Sequence, residues 1–316
     1  MIESIKNALL SWLPKFLLNP LIDFWVRLAI RRKGLVFEKH KAWFDIKSKD
    51  GRCIRVSRKH NYYLQDISDS FEYYYSAVKP VDIAGTKTVD YSSEKFHEVV
   101  GYELHPIMFP SFAEPITTTE QYLSFANLTH GSVVLDLGAY AGLTSILFDQ
   151  LVGESGIVVA VEADRNNIRF IKKNFALYEE TTSRHIALTE GAMWEHCDGI
   201  EFSSEGNMGS SAVPIVGKKR GAVDKIPSYT LSALVAEYSL PPVDFIKCDI
   251  EGAEAVLFGD AAFFARNKPR IIIEPHIINN VSTTQACIDQ LSAYGYQCEE
   301  IVQHGVTLPL LECYPK

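Results

Sequence analysis

In VDFIKCDIEGAEAVLFGDA (residues 243–261) an apolar run ends in three carboxylates, Asp249, Glu251 and Glu254, grouped around Gly252. Carboxylates this close repel unless a cation, a hydrogen-bond donor or a proton lies between them. Glu254 falls in the first turn of the helix that follows, where the helix dipole by itself favours negative charge. Asp249 and Glu251 precede that helix and are candidates for a general base. Lys247 is two residues earlier, on the same strand face as Asp249, where it can hold that carboxylate ionised. A second apolar run, RIIIEPH (270–276), ends in Glu274 and His276. His276 is a further catalytic candidate, with a structural role behind the strand as its alternative. Asp249, Glu251 and Glu274 are hard oxygen donors of the kind magnesium takes. Spacing alone assigns no metal, and none is assigned here.

A different chemistry is written in VVLDLGAYAG (133–142), where an apolar strand ends in Asp136 and is followed by Gly138, Ala139, Tyr140 and Gly142. In an open parallel sheet, ligands bind beyond the carboxyl ends of the strands, where the strand order reverses. Gly138 allows close backbone approach, and Gly142 opens the next helix tightly. Glu162, with Ala163 after it, ends the next strand and is placed to accept hydrogen bonds from two ribose hydroxyls. A nicotinamide dinucleotide normally requires Gly-x-Gly-x-x-Gly to seat its pyrophosphate on the helix N-terminus, and only Gly-x-x-x-Gly is present. An acid at Asp136 would repel a pyrophosphate but attract the ammonium and sulfonium of S-adenosylmethionine. Opposite charges about 4 Å apart are worth about 4 kcal/mol at an effective dielectric near 20, so the sign of that interaction favours S-adenosylmethionine.

These turns need a scaffold. From about residue 128 the sequence alternates apolar strands with helices: SVVLDLGA, TSILFDQLV, GIVVAVEA, RNNIRFIKKNFALY, SRHIALTE, then LSALVAEY, VDFIKCDI, AEAVLFGDAAFFA and RIIIEPH. TTQACIDQLSAYG, YQCEEIV and VTLPLLECY follow as helix, strand and strand. Near-continuous apolar strands separated by helices indicate a parallel sheet covered on both faces, an α/β fold. Thr117-Thr118-Thr119-Glu120 has capping-box spacing and predicts a helix to about residue 128. The polar stretch 191–228, with Gly206 and Gly209, reads as a mobile loop. Upstream, AWFDIKSKDGRCIRVS (42–57) carries a hairpin signal at Asp50-Gly51. NYYLQDISDSFEYYY reads as a helix over 61–78, either a stacking wall for a sugar or packing for its own region. A short strand over 81–90 and a segment bearing His97, Tyr102 and His105 follow, and either histidine could face an acceptor, with a surface or core role as the alternative for both.

Composition sets the outer limits. The chain has 316 residues, 47% of them hydrophobic, and a net charge of −8. That charge argues against extended nucleic-acid binding, which needs a basic footprint; the runs Arg31-Arg32-Lys33 and Lys218-Lys219-Arg220 read as solvated faces. Six scattered cysteines, without zinc spacing, read as reduced thiols of a cytoplasmic protein. Residues 1–33 are rich in Leu, Ile, Trp and Phe but are interrupted by Lys6, Pro14, Lys15, Pro20, Asp23 and Arg27, too often for a spanning helix. They read as amphipathic helices that either lie on a membrane surface or pack on the main domain or on a second subunit of a homodimer. The division expected is therefore 1–33 as an amphipathic helical segment, 34–114 as an α+β accessory region, and 115–316 as the sheet domain.

Over roughly residues 115–276, LDLGAYAG together with DFIKCDIEGAE resembles the FkbM family of S-adenosylmethionine-dependent methyltransferases. The family pattern runs Asp-x-Gly-Ala-Asn-x-Gly, an acid after the second strand, then Lys-x-Asp-x-Glu-Gly-x-Glu; Tyr140 stands here where the family commonly has Asn. The resemblance implies a Rossmann-like class I methyltransferase sheet, mostly parallel, with seven strands and an antiparallel final strand. It implies S-adenosylmethionine held by Asp136, Gly138, Ala139, Tyr140, Gly142, Glu162, Ala163 and Asp249. It also implies O-methylation of a hydroxyl on a sugar, glycan or natural product, with Asp249, Glu251 and His276 as catalytic residues. Two other classes stay open on the residues alone: a catalytically silent cofactor-binding or membrane-tethered module, and a nicotinamide-dependent oxidoreductase.

Overall fold

The computed structural model describes residues 27–204, 211–212, 222–304 and 309–316. Most of the N-terminal amphipathic segment, the glycines at 206 and 209 and the basic run 218–220 lie outside the described residues. The chain forms two compact units, one of residues up to 94 with 112–114, the other of 95–111 with 115–316.

The first unit holds a five-stranded sheet in the order β1-β2-β3-β5-β4. Its strands are β1 (Val36–Lys39), β2 (Trp43–Lys47), β3 (Cys53–Ser57), β4 (Val81–Ile83) and β5 (Thr86–Tyr91). The Asp50-Gly51 hairpin forms as expected between β2 and β3, with Gly51 at φ 85°. The helix expected over 61–78 is broken instead. A 3-10 turn over Arg58–Tyr63 leads into α1 (Leu64–Asp69), and Ser70, at φ −129° and ψ 47°, separates α1 from α2 (Phe71–Tyr75). Its aromatics pack inward: Tyr63, Tyr74 and Tyr91 stand edge-on to Phe112 at 4.5, 4.9 and 6.5 Å.

The second unit begins with the hairpin β6 (Phe96–Val99) and β7 (Tyr102–Met108). Asn174 brackets the end of β7: its Oδ1 accepts from Met108 N and its Nδ2 donates to Met108 O, each at 2.9 Å. His105 bonds Thr181 and stands edge-on to Tyr178, and His97 lies against Phe109. The next helix, α3 (Ile116–Ala126), starts at the Pro115 cap without a side-chain bond, so the expected capping box does not form; Thr117 is already inside the first turn.

The main sheet has seven strands in the order β10-β9-β8-β16-β17-β21-β20. In chain order these are β8 (Val133–Leu137), β9 (Ile157–Glu162), β10 (Ala187–Glu190), β16 (Phe245–Cys248), β17 (Arg270–Ile273), β20 (Tyr296–Val302) and β21 (Pro309–Pro315). All pairings are parallel except those of β21, the final strand. Every residue of β8 and β16 is buried, as strands covered on both faces require. Leu135, Leu137, Ile246, Cys248, Ile271 and Ile273 share one core with Leu231, Leu234, Phe263 and Leu291 from the covering helices. The strand order reverses between β8 and β16, so the glycine turn and the carboxylate turn emerge side by side.

Helices α4 (Leu143–Val152), α5 (Arg165–Thr182), α6 (Leu231–Glu237) and α9 (Thr284–Ser292) match the sequence reading. The helix expected after the carboxylates divides at Gly259-Asp260 into α7 (Glu254–Leu257) and α8 (Ala261–Phe264), because Asp260 turns aside to cap Phe263 and to bond Ser232. The stretch read as a loop contains strands: β11 (Ala192–Met193) pairs β15 (Ser228–Tyr229), while β12 (Ile200–Ser204) pairs β13 (Ser211–Ala212) and β14 (Ala222–Ile226). A last hairpin joins β18 (Ile277–Ile278) to β19 (Val281–Ser282). Among the described residues no helix is long and apolar enough to cross a membrane.

Candidate active site

The turn after β8 is closed by its own backbone. Gly138 N and Ala139 N both donate to Val161 O at 2.9 and 3.1 Å, and Gly142 N donates to Ala139 O at 2.6 Å. Tyr140 N donates to Glu162 Oε2 at 2.8 Å. Gly138 sits at φ 81°, and a Cβ there would collide with the backbone carbonyl of Asp249. Gly142, at φ 80°, would drive a Cβ to 2.6 Å from Phe175 Cε1. Tyr140 itself is left-handed at φ 50°. Its phenol lies 2.7 Å from Ser111 Oγ and accepts from Ser111 N at 3.2 Å, which fixes the ring where the family commonly carries Asn.

Glu162 closes the same turn from β9. Its Oε1 accepts from Ala163 N at 3.0 Å and Asp164 N at 2.8 Å, opposite the Tyr140 bond on Oε2. Burial pushes its pKa up to about 7, and the three backbone donors offset only part of that rise. Ala163 is half-buried, and Asp164 caps α5 through Asn166 N and Asn167 N.

Asp136 is placed differently from the charge argument above. It is wholly buried, and its immediate partners are Ser145 Oγ at 2.5 Å and Lys247 Nζ at 3.5 Å. Lys247 is its register partner on β16, so the two side chains rise from adjacent strands on the same face. The ammonium also donates to Gly138 O at 2.6 Å and lies 3.7 Å from Asp249 Oδ2. Burial pulls the Lys247 pKa down, but Asp136, Asp249 and Glu274 together hold it above its ordinary value. What now separates the two cofactors is the backbone. Gly138, Ala139, Tyr140 and Gly142 all spend their N–H groups inside the turn, so none of the four is offered to a pyrophosphate.

The carboxylate turn stands beside it. Glu251 (φ 54°) and Gly252 (φ 103°) are consecutive left-handed residues that lift the chain from β16 into α7. The side chains of Asp249 and Glu251 are 32% and 27% exposed. Glu254 is fully buried. Its Oε2 accepts from Gly252 N at 2.8 Å, and its Oε1 accepts from His276 N at 2.9 Å and Thr283 Oγ1 at 2.8 Å. His276 Nδ1 lies 3.2 Å from the same Oε1, which turns Nε2 toward Asp249 Oδ1 (3.7 Å) and Glu251 Oε2 (3.5 Å). Burial opposes the imidazolium, yet Glu251, Glu254 and Asp249 outweigh it and hold His276 well above its ordinary pKa. Burial, followed by Asp249, Glu274 and Glu254, pushes Glu251 to about 8 despite the opposing charge of His276. Glu274, the third oxygen donor considered from sequence, turns to Tyr122 OH (2.9 Å) and Gln303 Nε2 (3.1 Å); the third group beside Asp249 and Glu251 is His276.

The structure therefore brings together the carbonyl face of the glycine turn, Glu162, Asp249, Glu251 and His276, with Lys247 tying one turn to the other. Residues 136–298, more than half of the chain, match the family model described as the methyltransferase FkbM domain. The chain belongs to that family. The FkbM chain thus takes S-adenosylmethionine as its cofactor. Similar solved structures include the FkbM methyltransferase of Methylobacillus flagellatus KT, at 19% identity and a TM-score of 0.40 over 58% of this chain and 44% of that one. Another is Aeropyrum pernix fibrillarin with natively bound S-adenosyl-L-methionine, at 14% identity and 0.39 over 89% and 98%. A third is the precorrin-6y C5,15-methyltransferase of Geobacter metallireducens GS-15, at 16% and 0.39 over 63% and 87%. A search of the curated proteins gave no match.

Proposed function

We propose that this FkbM chain O-methylates a hydroxyl on a sugar, glycan or natural-product small molecule. The observation that carries the reading is the pair Asp249 and Glu251, partly open to solvent at the carboxyl end of β16 and directly beside the glycine turn. A hydroxyl, unlike a free amine, must lose a proton to become a good nucleophile, and a carboxylate at that position can accept it. Bound S-adenosylmethionine supplies a methyl group made electrophilic by its sulfonium. Gly138, Ala139, Tyr140 and Gly142 shape the cofactor turn, with Ala163 alongside. Glu162 Oε2, which accepts only from Tyr140 N among the described residues, has a second lone pair for a ribose hydroxyl, while Ala163 N and Asp164 N hold Oε1 in place. Asp249, beside both turns, serves the cofactor's positive end as well as the acceptor's proton. Glu251 and His276 complete the acceptor side, and Glu254 keeps His276 turned toward it.

Alignment of acceptor and methyl group accounts for about 7–11 kcal/mol of barrier lowering in such transfers, and a positioned base adds about 10²–10⁴-fold. The test is transfer of a labelled methyl group to panels of hydroxyl-bearing sugars, glycans and aromatic or macrocyclic alcohols, with the product linkage read by NMR. The expected product is an O-methyl ether. Transfer only to amines, or full activity in an Asp249→Ala/Glu251→Ala double variant, would contradict it.

A further inference from the structure

Asp249, Glu251 and His276 each present one ligand atom, and the three atoms all lie within 4.8 Å of one another. The imidazole is preset for coordination. Glu254 holds Nδ1, as carboxylates do behind metal-bound histidines, and leaves Nε2 facing the two acids. At 3.5 and 3.7 Å, Nε2 is too far from either acid for a good hydrogen bond, and no hydrogen-bond donor among the described residues reaches the Asp249 or Glu251 carboxylate. The contrast within the chain is informative. The other histidine–carboxylate group, Glu38, His40 and Asp45, already has its cations in place: Lys47 sits on Glu38 at 2.6 Å and Arg55 grips Asp45 at 2.7 and 3.0 Å. Around the active-site turn, the basic groups beside Asp136, Asp249, Glu251, Glu254 and Glu274 among the described residues are Lys247 and His276.

We propose that Asp249, Glu251 and His276 bind one divalent first-row metal ion, which displaces the Nε2 proton of His276 to solvent. An imidazole with two carboxylates suits Mn²⁺ or Zn²⁺ better than Mg²⁺ or Ca²⁺, which favour all-oxygen shells. Three protein ligands leave coordination positions open, as catalytic sites do. The inference rests on the O-methylation reading for its purpose: an acceptor hydroxyl on an open position is acidified by the ion, and its proton leaves to a carboxylate oxygen not engaged by the metal.

The experiment is titration of the purified full chain with Mn²⁺, free ion being counted by electron paramagnetic resonance, alongside calorimetry with Zn²⁺. One saturable site per chain is expected. Asp249→Asn and Glu251→Gln should each abolish it. Both act on partly exposed side chains that accept no hydrogen bond from the described residues, so the fold should be kept and checked by circular dichroism. Glu254→Gln should weaken the site by about 10–100-fold, as loss of a supporting carboxylate does. Unsaturable Mn²⁺ uptake, or uptake unchanged in both Asp249→Asn and Glu251→Gln, would overturn the site. S-adenosylmethionine binding and hydroxyl methylation are measured on the same protein with Mn²⁺ and in chelator. A chain that binds the cofactor and methylates fully without Mn²⁺ uptake overturns the metal alone, whereas a chain that takes up Mn²⁺ but transfers no methyl overturns the function.

Discussion

The backbone carbonyl of Asp249 occupies the space where a side chain on Gly138 would begin. The cofactor turn and the carboxylate turn are therefore in backbone contact, and neither can shift without the other. Gly138→Ala adds both a left-handed alanine and that collision. It should destabilise the chain by about 4 kcal/mol or more, the range reserved for strain at special backbone positions, and should abolish cofactor binding. Urea unfolding measures the first and calorimetry the second; a loss under about 1 kcal/mol would show that the turns separate freely.

Lys247 and Asp136 form a buried pair, 5% and 0% exposed at their side chains. Removing one member of such a pair leaves the other charge uncompensated, at a cost of about 3–5 kcal/mol. Lys247→Met should lose about that much in urea unfolding, and adding Asp136→Asn should restore most of it. The double variant should still methylate poorly, because Gly138 O and Asp249 lose their shared ammonium. Full activity in the double variant would make the pair purely structural.

Glu162 sets a pH dependence of stability. Its folded pKa of about 7 stands above the ordinary 4.5, so the folded state favours the protonated form. The stability this contributes is present in full below pH 4.5 and is lost as pH rises through 7. The pKa difference corresponds to a ceiling of about 3 kcal/mol. Stability measured from pH 4.5 to 8 should fall less steeply in Glu162→Gln than in the parent chain. Parallel curves would show that burial does not hold this carboxyl protonated.

Glu251→Gln keeps the shape of the turn and removes its titratable carboxyl group. It should leave S-adenosylmethionine affinity within about twofold while lowering kcat by about 10²-fold, the lower end of what a positioned base supplies. Equal loss in cofactor affinity and kcat would move Glu251 to the cofactor side of the site.

The sheet and both turns were readable because buried parallel strands leave near-continuous apolar runs, broken where an acid and glycines begin a turn. Pairing across the sheet was not readable. Nothing in the order of residues says that Lys247 stands opposite Asp136 or that the lysine meets its charge. The helix dipole is the local reading of Glu254, because its partner His276 is 22 positions away and meets it only after β17 is laid down. Asn174 likewise binds the end of β7 across 66 positions, which a local argument could not anticipate. Local rules failed where something else competed with them: Asp260 left the helix to bond Ser232, and the neighbouring Pro115 began α3 ahead of its threonines.

The most direct test is calorimetric titration of the full chain with S-adenosylmethionine, S-adenosylhomocysteine and NAD, repeated on Glu162→Ala. The account predicts that the first two bind at one site, that NAD does not, and that Glu162→Ala loses binding of both. Binding of NAD without S-adenosylmethionine, or affinity for S-adenosylmethionine untouched by Glu162→Ala, would contradict the site assigned to the glycine turn.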